Sequence, residues 1–174
     1  MSETGLYVHW PYCAHVCPYC DFNVYRARGG DHAPLLDAIA HDIEAHAARF
    51  GRRELVSVFL GGGTPSLLSG AEIARLIDTA NHAFSLARDC EITLEANPED
   101  APRFAEHAAA GVNRFSIGAQ AFDAAALKAL GRWHDAEAGR RAIETAAATG
   151  QRVSLDLIYA REGQSVSAWR GELR

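Results

Sequence analysis

The chain has no long hydrophobic run and no excess of positive charge. Its 174 residues carry a net charge of −5 at pH 7, which argues against nucleic acid or an anionic membrane surface as a partner. The amino terminus lacks the basic stretch and apolar run of a secretory signal, and no apolar stretch reaches the length of a membrane span. We therefore expect a cytoplasmic protein without membrane insertion, in which thiols stay reduced.

Cysteine is also scarce, with four residues in the chain, yet three of them lie within eight positions. Cys13, Cys17 and Cys20 form a C-x3-C-x2-C motif directly after a predicted strand. Three free thiols this close together are a poor way to fill a core, and in a cytoplasmic protein they are typical of metal or redox sites. Thiolates bind both iron–sulfur clusters and structural zinc.

Two kinds of metal site fit this motif. Three thiolates can hold three irons of a four-iron cube and leave the fourth iron open for a substrate. A zinc site would need His9 or His15 as its fourth ligand, and zinc sites prefer paired C-x2-C elements, of which the chain has one. Cys90, before the third predicted strand, is interpreted as a small buried hydrophobe. If it were a fourth ligand, the cluster would be closed and the protein an electron carrier.

Short apolar runs alternate with helical patterns along the chain. The apolar runs predict five strands, at residues 6–10, 55–60, 91–96, 114–119 and 153–159. Apolar residues spaced by three and four predict helices between them, including one over 135–149 and a last one over 165–173. Helix starts are expected at Asp31, Ser69 and Asp100, and helix stops at Gly51, Gly111 and Gly150.

This alternation predicts an α/β fold with parallel strands joined by right-handed crossovers. A closed barrel of eight units needs about 250 residues. We therefore expect a partial (β/α) barrel that is truncated after the fifth strand.

Glycine and polar residues follow the predicted strands at one end of the sheet. The run GGGTP at 61–65 lets a ligand lie against bare backbone, and it is neither a Walker loop nor a dinucleotide-binding motif. Because the carboxyl ends of parallel strands meet at one edge of a sheet, polar residues there are candidate ligand contacts. These candidates are Glu95, Gln120, Arg132 and Asp156.

Together, these motifs resemble the radical S-adenosylmethionine (SAM) superfamily. The segments LYVHWPYCAHVCPYCDFN, GGGTPSLL, LEANPED, GVNRFSIGAQAFD and LGRWHDAEAG occur in the order typical of HemW-type haem chaperones, which are relatives of the oxygen-independent coproporphyrinogen III dehydrogenases. The three-cysteine motif alone is typical of the superfamily, whereas the five segments together are typical of this group. The resemblance identifies residues 1–174 as a radical SAM core that lacks the sixth barrel unit and the C-terminal haem-associated domain.

The resemblance implies a [4Fe–4S] cluster on the three clustered cysteines, with SAM bound at the open iron. It also implies that the reduced cluster cleaves a carbon–sulfur bond of SAM, giving methionine and a 5′-deoxyadenosyl radical. Gly62, Gly63 and Thr64 match the contact with the amino-acid end of SAM. The other matched residues, which line the site or hold the amino, carboxylate and ribose groups of SAM, are Tyr7, Tyr19, Glu95, Gln120, Arg132 and Asp156.

Two features favour the haem chaperones over the coproporphyrinogen dehydrogenases, which remain the alternative. The dehydrogenases carry a longer N-terminal region and a further cysteine close behind the motif, whereas here the first strand begins near residue 6 and Asp21 follows Cys20. The implied role is haem binding, through the absent C-terminal part, and delivery to haem-accepting proteins, with a reduced electron donor as a further partner. One departure from the family is Glu162, which stands where a proline is usual.

Overall fold

The computed structural model describes residues 3–173; Met1, Ser2 and Arg174, the ends of the predicted unit, lie outside the described residues. The strands are β1 (Thr4–Trp10), β2 (Tyr12–Cys13), β3 (Tyr25–Arg26), β4 (Leu55–Gly62), β5 (Leu86–Ala96), β6 (Arg114–Gln120) and β7 (Arg152–Leu157). The helices are α1 (Ala33–Phe50), α2 (Gly70–Ala83), α3 (Phe104–Ala109), α4 (Ala124–Ala129), α5 (Ala136–Ala148) and α6 (Val166–Glu172). Two 3₁₀ helices cover Pro65–Leu67 and Pro98–Arg103.

Five of the strands form one parallel sheet in the order β1-β4-β5-β6-β7. Strand order therefore follows chain order, and each crossover between neighbouring strands carries helix, as in a (β/α) barrel. Within residues 3–173, β1 and β7 are the two edges of this sheet. The predicted α/β fold with a partial barrel is confirmed.

The two faces of the sheet differ in polarity. Strand residues such as Leu94 and Phe115 point into a buried core shared with the helices, where Phe104 stacks on Phe115 at 4.8 Å between ring centroids. Alternate residues of the same strands are polar and bond to one another on the opposite face, where Arg114 donates to Glu91 and to the Ser154 hydroxyl. The sheet thus presents an apolar face to the helices and a polar face to the interior of the partial barrel.

Several predicted helix ends are confirmed in detail. Ser69 and Glu72 form a capping box at the start of α2, in which the Glu72 carboxylate accepts from the Ser69 backbone N–H over 2.7 Å. Gly51 follows α1 with φ 77°, as a helix stop requires. At the start of α1 the capping position is His32, although the Asp31 carboxylate still accepts from a backbone N–H of the first turn.

Other boundaries differ from the sequence expectation. No α-helix starts at Asp100; the chain forms a 3₁₀ helix with Pro102 inside it, and α3 begins at Phe104, since proline has no N–H to donate to an α-helical bond. Strand β7 ends at Leu157, two residues earlier than predicted, although the Ile158 N–H still donates to the Gln120 carbonyl on β6. Within residues 3–173, no helix is long and apolar enough to cross a bilayer.

Candidate functional site

A cleft of about 140 Å³ opens at the carboxyl ends of the sheet strands. Of the twelve site residues predicted from sequence, the cleft lining includes eleven: Cys13, Cys17, Tyr19, Cys20, Gly62, Gly63, Thr64, Glu95, Gln120, Arg132 and Asp156. The exception is Tyr7, whose hydroxyl instead donates to His9 Nδ1 over 3.1 Å, and His9 Nε2 donates to the Asn23 carbonyl. Residues spread over 144 positions of sequence are therefore gathered on one surface.

The cysteine loop is closed at its base by a short parallel ladder. Strand β2, which contains Cys13, pairs with β3, and the Ala27 N–H donates to the Cys13 carbonyl over 2.7 Å. Within the loop, the Cys20 N–H donates to the Cys17 carbonyl over 3.0 Å, so these two cysteines bracket a tight turn. The ladder and the turn fix the backbone positions of all three thiols.

The cysteine loop docks on the loop that contains Arg132. His15 Nε2 donates to the Gly131 carbonyl over 3.1 Å, and the His15 ring stacks on Trp133 with centroids 4.0 Å apart. Gly131 has φ 68°, and a Cβ there would lie 2.6 Å from Cδ of Pro18. Glycine is therefore required at 131 for the two loops to meet.

Arg132 joins the cysteine loop to the strand ends. Its guanidinium donates to Cys17 Sγ over 3.5 Å, to the Asn97 side-chain oxygen over 2.6 Å and to the Gly118 carbonyl over 2.9 Å. Its Nε is buried and has no partner among the described residues, so one donor is left for a group bound in the cleft. The protein groups that Arg132 contacts are an amide, a carbonyl and a thiol.

The Cys13 thiol lies in an environment that favours its neutral form until a metal binds. Burial raises the pKa of Cys13, the Thr64 hydroxyl lowers it by hydrogen bonding, and the nearby Cys17 and Cys20 raise it. Burial also raises the pKa of Tyr19 to about 12, against the effect of Arg132, so this phenol stays protonated and can donate a hydrogen bond. A bound metal would remove the thiol protons and reverse this balance.

The glycine run forms a backbone wall of the cleft. Glu95 accepts from the Gly62 N–H over 2.9 Å, and the Gly63 N–H donates to the Trp10 carbonyl over 2.6 Å. A Cβ at Gly63 would lie 2.6 Å from the Tyr12 carbonyl oxygen, so glycine is needed for this close approach. Burial raises the pKa of Glu95, the Gly62 N–H lowers it, and Asp156 raises it further. The two carboxyl groups thus form an acidic end of the cleft.

Gln120 and Asp156 complete the cleft from the last two strands. Gln120 ends β6 with φ 66°, a left-handed conformation that is uncommon outside glycine. The Asp156 carboxylate accepts from the Ser116 hydroxyl over 3.1 Å, which fixes its position on the polar face of the sheet.

Asn97, Ser116 and Gly118 are among the cleft residues that were not predicted from the sequence. Asn97 donates to the Thr64 hydroxyl over 3.1 Å and accepts from Arg132, so it links the glycine loop to the arginine. Ser116 and Gly118 line the cleft from β6. In the sequence, Asn97 before Pro98 resembles an ordinary helix cap. Its position immediately beyond the end of β5 was the feature that could have identified it as a cleft residue.

Cys90, Trp133 and His134 lie outside the cleft. Cys90 is buried in the middle of β5 and weakly bonded to its neighbour's carbonyl, whereas Glu95 in the same strand lines the cleft. His134 is buried and its Nε2 donates to the Ala119 carbonyl, while Trp133 is exposed and packs on His15. None of these three is part of the cleft lining.

The residues present fit a three-thiolate cluster with a ligand beside it. Three thiols, a cationic guanidinium and a wall of bare backbone line one cleft. Among residues 3–173, no three metal-binding side chains gather around a single point as one metal ion requires. A four-iron cube has no such requirement, because each thiolate reaches a different iron.

A sequence profile of the radical SAM superfamily matches residues 7–171. The chain belongs to the radical SAM superfamily. The [4Fe–4S] cluster and SAM expected from the sequence are the cofactors that this family implies. In this radical SAM core, the cleft at the strand ends is where the matching motifs converge.

Curated relatives extend the likeness. The haem chaperone HemW of Escherichia coli K12 is 42% identical over 178 residues, covering 100% of this chain and 47% of that protein. The mitochondrial radical S-adenosyl methionine domain-containing protein 1 of Bos taurus is 43% identical over 179 residues, covering 99% of this chain and 40% of that protein. The predicted HemW resemblance is confirmed, and the chain spans about half the length, or less, of these relatives.

A solved structure supports the fold. Coproporphyrinogen III oxidase HemN from Escherichia coli matches with a TM-score of 0.84 and 28% identity, covering 98% of this chain and 40% of that chain. The partial barrel is therefore that of a radical SAM core.

Proposed function

We propose that this radical SAM core binds a [4Fe–4S] cluster through Cys13, Cys17 and Cys20, binds SAM at the open iron, and acts in haem binding and delivery to haem-accepting proteins. The observation that carries the proposal is that eleven residues expected to bind the cluster or SAM line one cleft. When bound, a reduced cluster of this kind supplies the electron that cleaves a carbon–sulfur bond of SAM. The three thiols must stay reduced to bind iron, and we therefore propose the cytoplasm as their compartment.

Within the cleft, we assign each wall to a part of SAM. The backbone of Gly62 and Gly63, with Thr64, is assigned to the amino-acid end. The acidic end formed by Glu95 and Asp156 suits a cationic amino group or ribose hydroxyls. The residues assigned to the remaining contacts, including the SAM carboxylate, are Tyr19, Gln120 and Arg132. Tyr7, which lies outside the cleft lining, is assigned to the border of the site.

Haem handling is inferred from the relatives. We propose that residues 1–174 form the radical SAM core. In the relatives, we propose that haem is bound by the segment outside the match to this chain. A reduced protein partner would supply the electron.

A second candidate function is coproporphyrinogen III dehydrogenation, favoured by the likeness to HemN. Haem titration and coproporphyrinogen decarboxylation separate the two functions when they are run on a chimera in which this chain replaces the matching segment of Escherichia coli HemW, beside full-length HemW. Decarboxylated product without a stable haem complex would favour the dehydrogenase. A haem complex without product would favour the chaperone.

The cluster assignment has a direct test. Anaerobic reconstitution is expected to give about four irons per chain, with an EPR spectrum that changes when SAM is added to the reduced protein. Cys13→Ser, Cys17→Ser and Cys20→Ser should each lose the cluster, and Cys90→Ser is the matched control that should keep it. Zinc without a response to SAM would exclude the proposal. Loss of the cluster in Cys90→Ser would favour a closed, electron-carrying cluster.

A further inference from the structure

A buried ion pair joins the loop after β7 to the last helix. Arg161 Nη2 donates to Glu172 Oε2 over 2.6 Å, and the two side chains are 12% and 7% exposed. Glu172 also accepts from the Phe122 backbone N–H over 2.9 Å and from the Gln164 side chain over 3.0 Å. Buried charges persist where their hydrogen bonds are satisfied, so this pair holds three chain segments together.

The same arginine reaches the backbone of Gln120. Its Nη1 donates to the Ile158 carbonyl over 3.1 Å and approaches the Gln120 carbonyl at 3.4 Å. The Gln120 carbonyl also accepts from the Ile158 N–H over 2.9 Å. Gln120 has φ 66°, which is unfavourable for a residue with a Cβ and persists when its surroundings hold it.

The held backbone directs the Gln120 side chain. A Cβ on Gly118 would lie 2.9 Å from Gln120 Nε2, so the carboxamide packs against the bare backbone of Gly118. Both residues line the cleft. Arg161 and Glu172 lie outside this cleft and line a separate one between α4 and the loop after β7. The bonds from the pair to the Gln120 carbonyl and the Phe122 N–H connect it to the cofactor cleft through the segment 120–122.

We propose that Arg161 and Glu172 are positioning residues that hold Gln120 in its left-handed conformation and so orient its carboxamide for SAM. The inference rests on the proposed function, because Gln120 is assigned there as a SAM contact.

The test measures SAM affinity and local exchange in separate arms. Arg161→Leu and Glu172→Gln should each raise the Kd for SAM about tenfold while iron content stays unchanged, because fewer molecules hold the competent Gln120 conformation. The double variant should bind no more weakly than the weaker single variant, since the two residues act as a unit. Arg161→Lys, which keeps the charge and perturbs folding least, should give a Kd for SAM between that of the wild type and that of Arg161→Leu. Arg141→Leu removes an arginine from an exposed ion pair on α5 and is the matched control.

Hydrogen–deuterium exchange without SAM gives the second arm. The Ile158 amide, which donates to Gln120, should exchange faster in Arg161→Leu, and the Phe122 amide should do so in Glu172→Gln. Unchanged exchange at both amides, or unchanged SAM affinity in both variants, would overturn the proposal. If the wild-type chain loads its cluster but binds no SAM, the proposed function fails, and the exchange arm alone decides whether the pair holds Gln120.

Discussion

The guanidinium of Arg132 donates to the sulfur of Cys17 across 3.5 Å, although the two residues are 115 positions apart in sequence. The same guanidinium bonds to Asn97 and to the Gly118 carbonyl. One side chain therefore sets the position of the cysteine loop relative to two strand ends. It also places a positive charge beside a proposed cluster ligand.

Arg132→Gln is expected to lower both the reduction potential of the reconstituted cluster and its affinity for SAM. The potential should fall because hydrogen bonds and positive charge at a ligand sulfur stabilise the reduced state. SAM affinity should fall about 10- to 100-fold, the range expected for losing a hydrogen bond to a charged group. Redox titration followed by EPR and equilibrium binding measure the two effects. Arg141→Gln, on the exposed face of α5, serves as the control, and an unchanged potential in Arg132→Gln would contradict this role.

Gly63→Ala is expected to separate the glycine loop from the cysteine loop. The new Cβ would lie 2.6 Å from the Tyr12 carbonyl oxygen and 2.9 Å from that of Trp10, and backbone atoms cannot move aside as side chains can. We expect a loss of about 1–3 kcal/mol in the free energy of unfolding, measured in urea, together with lower iron content. Gly171→Ala is the matched control, because a Cβ at that helical position meets nothing within 4 Å. Equal iron content in the two variants would show that the contact is dispensable.

Much of the site could be predicted because strand ends are readable in sequence. Apolar runs located the five strands of the sheet, and parallel strands bring their carboxyl ends to one edge. Glu95 at the end of β5 and Asp156 in β7 could thus be assigned to the same cleft from the sequence alone. The capping box at Ser69 was equally readable, because both of its partners lie within one helical turn.

The parts that were missed depend on contacts between distant residues. The ladder between β2 and β3 has two residues in each strand, too few to show an alternating pattern. Asn97 is defined as a site residue by Thr64 and Arg132, which lie more than thirty positions away on either side. The left-handed conformation of Gln120 is held by Arg161, and a sequence window around Gln120 contains no sign of it.

Ala160→Gly is expected to stabilise the protein. Ala160 has φ 57°, a conformation in which the Cβ of alanine is strained and glycine is not. Removing the Cβ should raise the free energy of unfolding by up to about 1 kcal/mol, after the greater freedom of glycine in the unfolded chain is subtracted. The same substitution at exposed Ala45, inside α1, should lower it by about 1 kcal/mol. Urea unfolding of the Ala160→Gly and Ala45→Gly variants measures both effects. Changes of the same sign in the free energy of unfolding would contradict the strain at Ala160.

His107 is a buried histidine that belongs neither to the cofactor cleft nor to the Arg161–Glu172 ion pair. Its ring is fully buried, and Nε2 donates to the Leu68 carbonyl over 2.8 Å. Nδ1 has no partner among the described residues. Burial lowers the pKa of His107, and the hydrogen bond to Leu68 raises it by less. The folded protein therefore holds this ring neutral.

The low pKa of His107 predicts that stability falls as the pH drops below the ordinary histidine value near 6.5. In that range the unfolded chain binds a proton that the folded protein does not, so the free energy of unfolding falls by at most about 1.4 kcal/mol per pH unit until the folded pKa is reached. His107→Gln keeps a donor for the Leu68 carbonyl and cannot titrate, so urea unfolding between about pH 7 and pH 5 should show a shallower pH dependence than the wild type. His41→Gln, at an exposed position of α1, is the matched control for replacing a histidine by glutamine. A slope in His107→Gln equal to that of the wild type would show that His107 is protonated equally in both states.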